Sequence, residues 1–359
     1  MPVHDVGYRA WNGRRIASYW RWWTISARGV ALILKSKWIR RMLLFAWASV
    51  IYWAVSFFLF ENFIETVRQG IPGQAAMAAM NELEGTPIGM VAEDEVERIL
   101  ARRLEQQIPL LRSSEAHQLA VVLADDDRAH SRRVFWTLMT LTFFRYPQAA
   151  MMVFLIGFIA PSLIANDMRS RAFLLYFSRP IRTRDYILGK LGILAAFLIW
   201  TITLPALLLY FFGVMLSPNV SVVAVTWDLP LRIVLASVVV IIPTSLLALA
   251  LSSLAQESRF ASFAWFAVWG MGAGAHLAMQ GNFMTRILGS RGMLDGPILP
   301  SEDRWAFLSL YECLGGVQRW VFGAEVSNRT VLTSAVVLSG VTVLSLLVLN
   351  RRIRQAVQT

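Results

Sequence analysis

Asn166-Asp167-Met168-Arg169-Ser170-Arg171 … Ser178-Arg179-Pro180-Ile181-Arg182-Thr183-Arg184-Asp185-Tyr186 … Gly189-Lys190 is a basic stretch squeezed between two long apolar runs, 148–165 and 191–216. It carries six Lys/Arg and two Asp. Each flanking run is long enough to cross roughly 30 Å of hydrocarbon, which takes about 20 helical residues. Lys and Arg beside such runs stay on the cytoplasmic side. The stretch therefore reads as a cytoplasmic loop between two membrane helices. Its patterning exceeds what a connector needs and suggests a docking surface for a soluble partner.

Working outward, the chain is 56% apolar, 16% charged, and holds 14 Trp and 21 Phe. A soluble domain of 359 residues cannot hide that much apolar surface. Six runs are long enough to span: 42–60, 148–165, 191–216, 231–254, 260–280 and 330–349. In lipid each must be helical, because its backbone polar groups have no water to bond. The expected fold is an all-α polytopic membrane protein with six transmembrane helices. The net charge of +11 does not point to nucleic acid, because the basic residues cluster at the ends of apolar runs. The one cysteine, Cys313, excludes an intrachain disulfide framework and a Cys-based zinc site.

Charge placement sets the direction. Residues 1–41 carry nine Lys/Arg against one Asp, and Arg351, Arg352 and Arg354 follow the last run with no acid. Segment 61–147 has nine basic and thirteen acidic residues. Both termini, the 166–190 loop and a short loop at 255–259 are expected inside, and segments 61–147, 217–230 and 281–329 outside. The divisions are a cytoplasmic or interfacial helix in 1–41, a membrane domain of 42–60 and 148–349, an extracytoplasmic helical insertion at 61–147, and a cytoplasmic tail at 350–359.

Trp and Lys/Arg interleave in Tyr19-Trp20-Arg21-Trp22-Trp23 … Lys35-Ser36-Lys37-Trp38, as in an amphipathic helix lying in the headgroup layer. It serves as an interfacial anchor, with or without contact to a cytoplasmic partner. The run 134–144 is too short to span and is cut from the next by Arg145-Tyr146-Pro147, so it is expected to lie at the outer interface. Short helices are expected at 94–108 and 114–124, making 61–147 either a small cap or a solvated spacer. Segment 305–322, broken by Gly315-Gly316, is expected to dip into the membrane from outside. No internal repeat is evident.

The chain has no catalytic signature. Gly189-Lys190 is followed by Leu191, and Arg184 stands where a Walker A loop needs Gly, so ATP cannot bind by that route. His4, His117, His130 and His276 have no metal-ligand spacing. Asp125-Asp126-Asp127 lacks the spacing of a calcium loop, and there is no Gly-x-Ser-x-Gly elbow. The span cores carry almost no ionisable group, His276 being the nearest case. A proton or ion path would more often show one, so energy is expected to enter from another subunit, and the cargo to be amphiphilic. Pro161, Pro205 and Pro243 lie inside spans and read as packing features rather than hinges. Gly270 and Gly274 are spaced for close helix approach, within one subunit or between two.

Span, then Asn-Asp-x-Arg-Ser-Arg, then an apolar turn, then Ser-Arg-Pro-Ile-Arg-Thr-Arg-Asp-Tyr-Ile-Leu-Gly-Lys, then span: this order, from Ile164 to Lys190, resembles the membrane subunit of ABC type-2 transporters, the exporter-like permease class. The basic amphipathic N-terminus and the six spans extend the resemblance over most of the chain. It implies a separate ATPase, in two copies, that binds ATP and Mg itself and docks on the inner loops, leaving this chain without cofactor. It also implies a second permease subunit, identical or not. The coupling residues it implies are Asn166, Asp167, Arg169, Arg171, Arg179 and Pro180, with Gln256, Glu257 and Arg259 in the second inner loop. The importer Glu-Ala-Ala signature is absent, which favours export. The 61–147 insertion departs from compact family members. It motivates an alternative, a non-transporting anchor that transmits ATPase motion to an extracytoplasmic partner.

Overall fold

The computed structural model describes residues 20–69, 102, 128–170, 182–217, 221–279, 305–324 and 326–358. The expected helices at 94–108 (residue 102 apart) and 114–124 lie outside these residues, as do Arg171, Arg179 and Pro180. Among the described residues all regular structure is helical. The chain runs through α1 (Arg21–Ile33), α2 (Lys37–Gln69), α3 (Arg128–Phe143), a π-turn (Phe144–Gln148), α4 (Ala149–Arg169), α5 (Thr183–Leu198), a second π-turn (Ile199–Thr203), α6 (Leu204–Leu216), α7 (Ser221–Thr226), α8 (Leu229–Leu254), α9 (Ser258–Met279), a 3-10 turn (Ala306–Leu308), α10 (Leu310–Phe322) and α11 (Asn328–Gln358).

Among the described residues, five helical stretches are long and apolar enough to cross a membrane: Lys37–Leu59, Arg132–Arg169, Thr183–Leu216, Val222–Leu254 and Asn328–Gln355. α9 has 22 residues but falls outside this set, its Trp, Gly and His276 lowering its hydropathy. α8 is the central post. It packs on α4, α5, α9, α10 and α11, and 67% of its apolar window is buried against 17% for α11. Several of its buried hydroxyls return to the helix backbone, Ser237 to Ile233 O at 2.8 Å and Ser253 to Ala250 O at 2.7 Å. Such back-bonding lets polar side chains sit in an apolar core.

The structure corrects the reading of 134–144 as a separate interfacial helix. The helix is continuous from Arg132 to Arg169, and Phe135, Trp136, Met139, Leu141 and Phe143 are fully buried. Phe57 of α2 packs edge-on against Trp136 (4.8 Å between centroids), and Trp136 against Tyr210 of α6 (5.5 Å). Pro147, which lacks an N–H, sits within the π-turn rather than ending the helix. The second π-turn precedes Pro205 in the same way, and there the Trp200 carbonyl accepts the Trp47 indole N–H at 3.2 Å.

α1 lies along α5. Ser26 Oγ donates to Gly189 O at 2.9 Å, and a Cβ at Gly189 would stand 2.7 Å from Ile25 Cβ. Only glycine lets the helices approach this closely. On either flank of this contact face α1 exposes Trp23 and Leu32. Among the described residues, a Cβ at Gly270 or Gly274 would meet nothing within 4 Å. At Gly272 a Cβ would fall 3.1 Å from Leu308 O.

Candidate functional site

α4 and α8 run parallel. Val240, at the middle of α8, lines a cleft with Met152, near the start of α4, and twelve residues further along each helix Ser252 meets Ile164. Their C-termini therefore share one end of the bundle with the start of α5 and the α8–α9 connection. The described residues of both expected coupling segments are brought together there. Asn166, Arg169, Gln256 and Arg259 are exposed, and Asp167 and Glu257 are half-buried. Arg259 pairs with the Glu257 carboxylate.

The helix ends are shaped by their own polar residues. Ser170 donates to Asn166 O through N (2.9 Å) and Oγ (2.8 Å), closing α4. At the start of α5 the Asp185 carboxylate accepts the Arg182 N–H at 3.4 Å. An acid in a first turn and Arg169 in a last turn both match the helix dipole.

Between these ends lies a compact ionic knot. Lys190 Nζ reaches Asp167 Oδ2 at 2.8 Å, and Tyr186 Oη donates to the same oxygen at 2.7 Å. The Lys190 and Asp167 side chains are only 9% and 17% exposed, so the pair is desolvated enough to matter. Asp167 thus joins the two limbs of the basic stretch, while Asn166 and Arg169 face outward from it.

The other end of the bundle carries a second polar cluster that the sequence reading missed. Arg145, 2% exposed, donates through Nη1 to Tyr311 O and through Nη2 to the Glu312 carboxylate at 2.9 Å. Its guanidinium stacks 3.7 Å from the Tyr311 ring centroid, and Tyr311 Oη donates back to Arg145 O at 2.9 Å. The expectation of nearly charge-free spans is therefore corrected at Arg145. The signal was present, as an Arg in one apolar run and a Glu in another, but their pairing is long-range. Gly315 does not break α10. It makes room, since a Cβ there would overlap the Arg145 guanidinium. Partial burial, then the neighbouring Arg145, lower the Arg319 pKa from its ordinary value, and Glu312 opposes them. Nearby, Asp228 accepts Arg133 at 2.8 Å and Arg232 at 2.7 Å, and Arg232 Nη1 donates to Val321 O at 2.9 Å. These bonds tie α3, α8 and α10 together.

A small cleft lies against Arg145, lined by Phe144, Met152, Ile202, Tyr311 and Gln318. Arg145 Nε is buried there without a protein partner, which suits bound water. The two clusters hold helices in place at opposite ends of the bundle.

No curated protein and no solved structure matches the chain. A family profile does, that of the ABC-2 family transporter protein, over residues 37–280. These residues run from the first membrane helix through α9 and include the basic stretch and the α8–α9 loop. The chain is a multi-pass integral membrane protein and belongs to the ABC-2 transporter family, as a permease.

Proposed function

We propose that this permease is the membrane half of an ATP-driven exporter, working as a dimer of permeases with two copies of a separate ATPase that holds the ATP and Mg. In this reading α9 is the sixth span, both termini face the cytoplasm, and the chain resides in the cytoplasmic membrane. The ATPase docks on the end of the bundle where α4 and α8 finish. The observation that carries the reading is the exposure of Asn166 and Arg169 at the end of α4, and of Gln256 and Arg259 just after α8, where Ser252 ties the two helices together, within the stretch the family profile covers. A charged surface fixed to rigid spans suits transmission of a rigid-body stroke.

The test is purification of the chain from native membranes in mild detergent. An ATPase should accompany it and should be lost when Arg169 and Arg259 are both reversed to Glu. A complex without ATP-hydrolysing activity, or one indifferent to the reversal, overturns the reading.

A further inference from the structure

α4 has a weak point one turn before the exposed coupling residues. Pro161 has no N–H, so the Gly157 carbonyl four residues earlier loses its helical donor. Ser262 of α9 replaces it, Oγ donating to Gly157 O at 3.0 Å. One turn further on, a hydroxyl from α8 enters the same region. Ser252 Oγ donates to Pro161 O at 2.9 Å and accepts the Ile164 and Ala165 N–H groups at 3.2 and 3.1 Å. In a regular α-helix the Ala165 N–H would serve Pro161 O, so Ser252 stands at that rung. It is fully buried. The grip is reinforced below, where Trp265 Nε1 donates to Val153 O at 2.8 Å. A Cβ at Gly157 would lie 2.5 Å from the Phe266 ring.

The two serines flank the second inner loop, Ser252 before Gln256 and Ser262 after Arg259. Both therefore hold the Pro161 turn of α4 from either side of that loop. We propose that Ser252 and Ser262 are positioning residues that lock the Pro161 joint, so that the 166–170 end of α4 and the 255–259 loop move as one body. Resting on the reading that an ATPase docks there, this means that a stroke delivered to either loop is delivered to both. Without the hydroxyls the joint yields, and α4 swings independently of α8.

The experiment uses the full chain in lipid nanodiscs with Cys313 replaced by Ala. Spin labels are placed on cysteines at Ser170 and Leu254, both exposed, and the distance between them is measured without any ATPase. Val and Thr have nearly the same volume, so Ser252→Val and Ser252→Thr isolate the hydroxyl. Ser252→Val is expected to broaden the distance distribution about twofold, as local opening frees the helix end, while Ser252→Thr keeps the parental width. Equal widths in both variants, narrow or broad, overturn the proposal, because the hydroxyl would then play no part. Should Ser252→Val fail to insert, Ser252→Ala is read at the same labels with the same expected broadening. Failure of an ATPase to bind would sink the functional reading and leave the width comparison intact.

Discussion

Asp167 accepts the Lys190 ammonium at 2.8 Å across the gap between the end of α4 and the start of α5. The pair is mostly buried, and Tyr186 shares the same carboxylate oxygen. Removing one partner strands the other. Asp167→Ala and Lys190→Met are each expected to cost about 2 kcal/mol. The double variant should cost less than their sum by about 1 kcal/mol. Denaturant titration of the detergent-solubilised chain measures both, and strict additivity would show that the pair contributes nothing.

Arg145 and Gly315 form a lock and its recess. Gly315→Ala should push the guanidinium off Glu312 and destabilise by about 2 kcal/mol or more. Gly274→Ala, where a Cβ meets nothing among the described residues, should be neutral or stabilise by up to about 1 kcal/mol through helix propensity. Thermal melting separates the two. A strongly harmful Gly274→Ala would instead mean that this face of α9 packs against another subunit or against residues outside the described ones.

Pro161 and Ser262 are coupled through the Gly157 carbonyl. Ser262→Ala orphans that acceptor and is expected to cost about 1–2 kcal/mol. Pro161→Ala restores the missing donor. In the Pro161→Ala background, Ser262→Ala should be nearly free. A full cost in both backgrounds would show that Ser262 acts by packing alone.

Gly189 decides whether α1 can lie on α5. Gly189→Val places two methyl groups where Ile25 now packs, and the helix must lift. Increased protease cutting within residues 20–36 at otherwise native secondary structure is the expected result. An unchanged digestion pattern would count against a fixed seam.

The helical membrane fold was legible in long apolar runs because hydropathy and length are local properties. The basic stretch stood out for the same reason, since positive charge beside an apolar run is itself a local pattern. The run 134–144 was misread because Arg145 and Pro147 look like breakers in isolation. A π-turn accommodates the proline, and α10 supplies Glu312 and the Tyr311 carbonyl for the arginine. Gly315-Gly316 looked like a break and is a recess. The Gly270 and Gly274 spacing suggested a close approach, and within the described residues the glycine of α9 that meets a neighbour is Gly272.

The sequence by itself determined the class of protein and most of its long apolar helices, because each depends on residues adjacent in the chain. The tertiary structure decided which polar groups meet. Ser252 and Pro161 are separated by 91 positions and Arg145 and Glu312 by 167. Whether a buried hydroxyl or guanidinium is satisfied depends on helix packing and on angles and distances of a few ångströms, which no local pattern encodes.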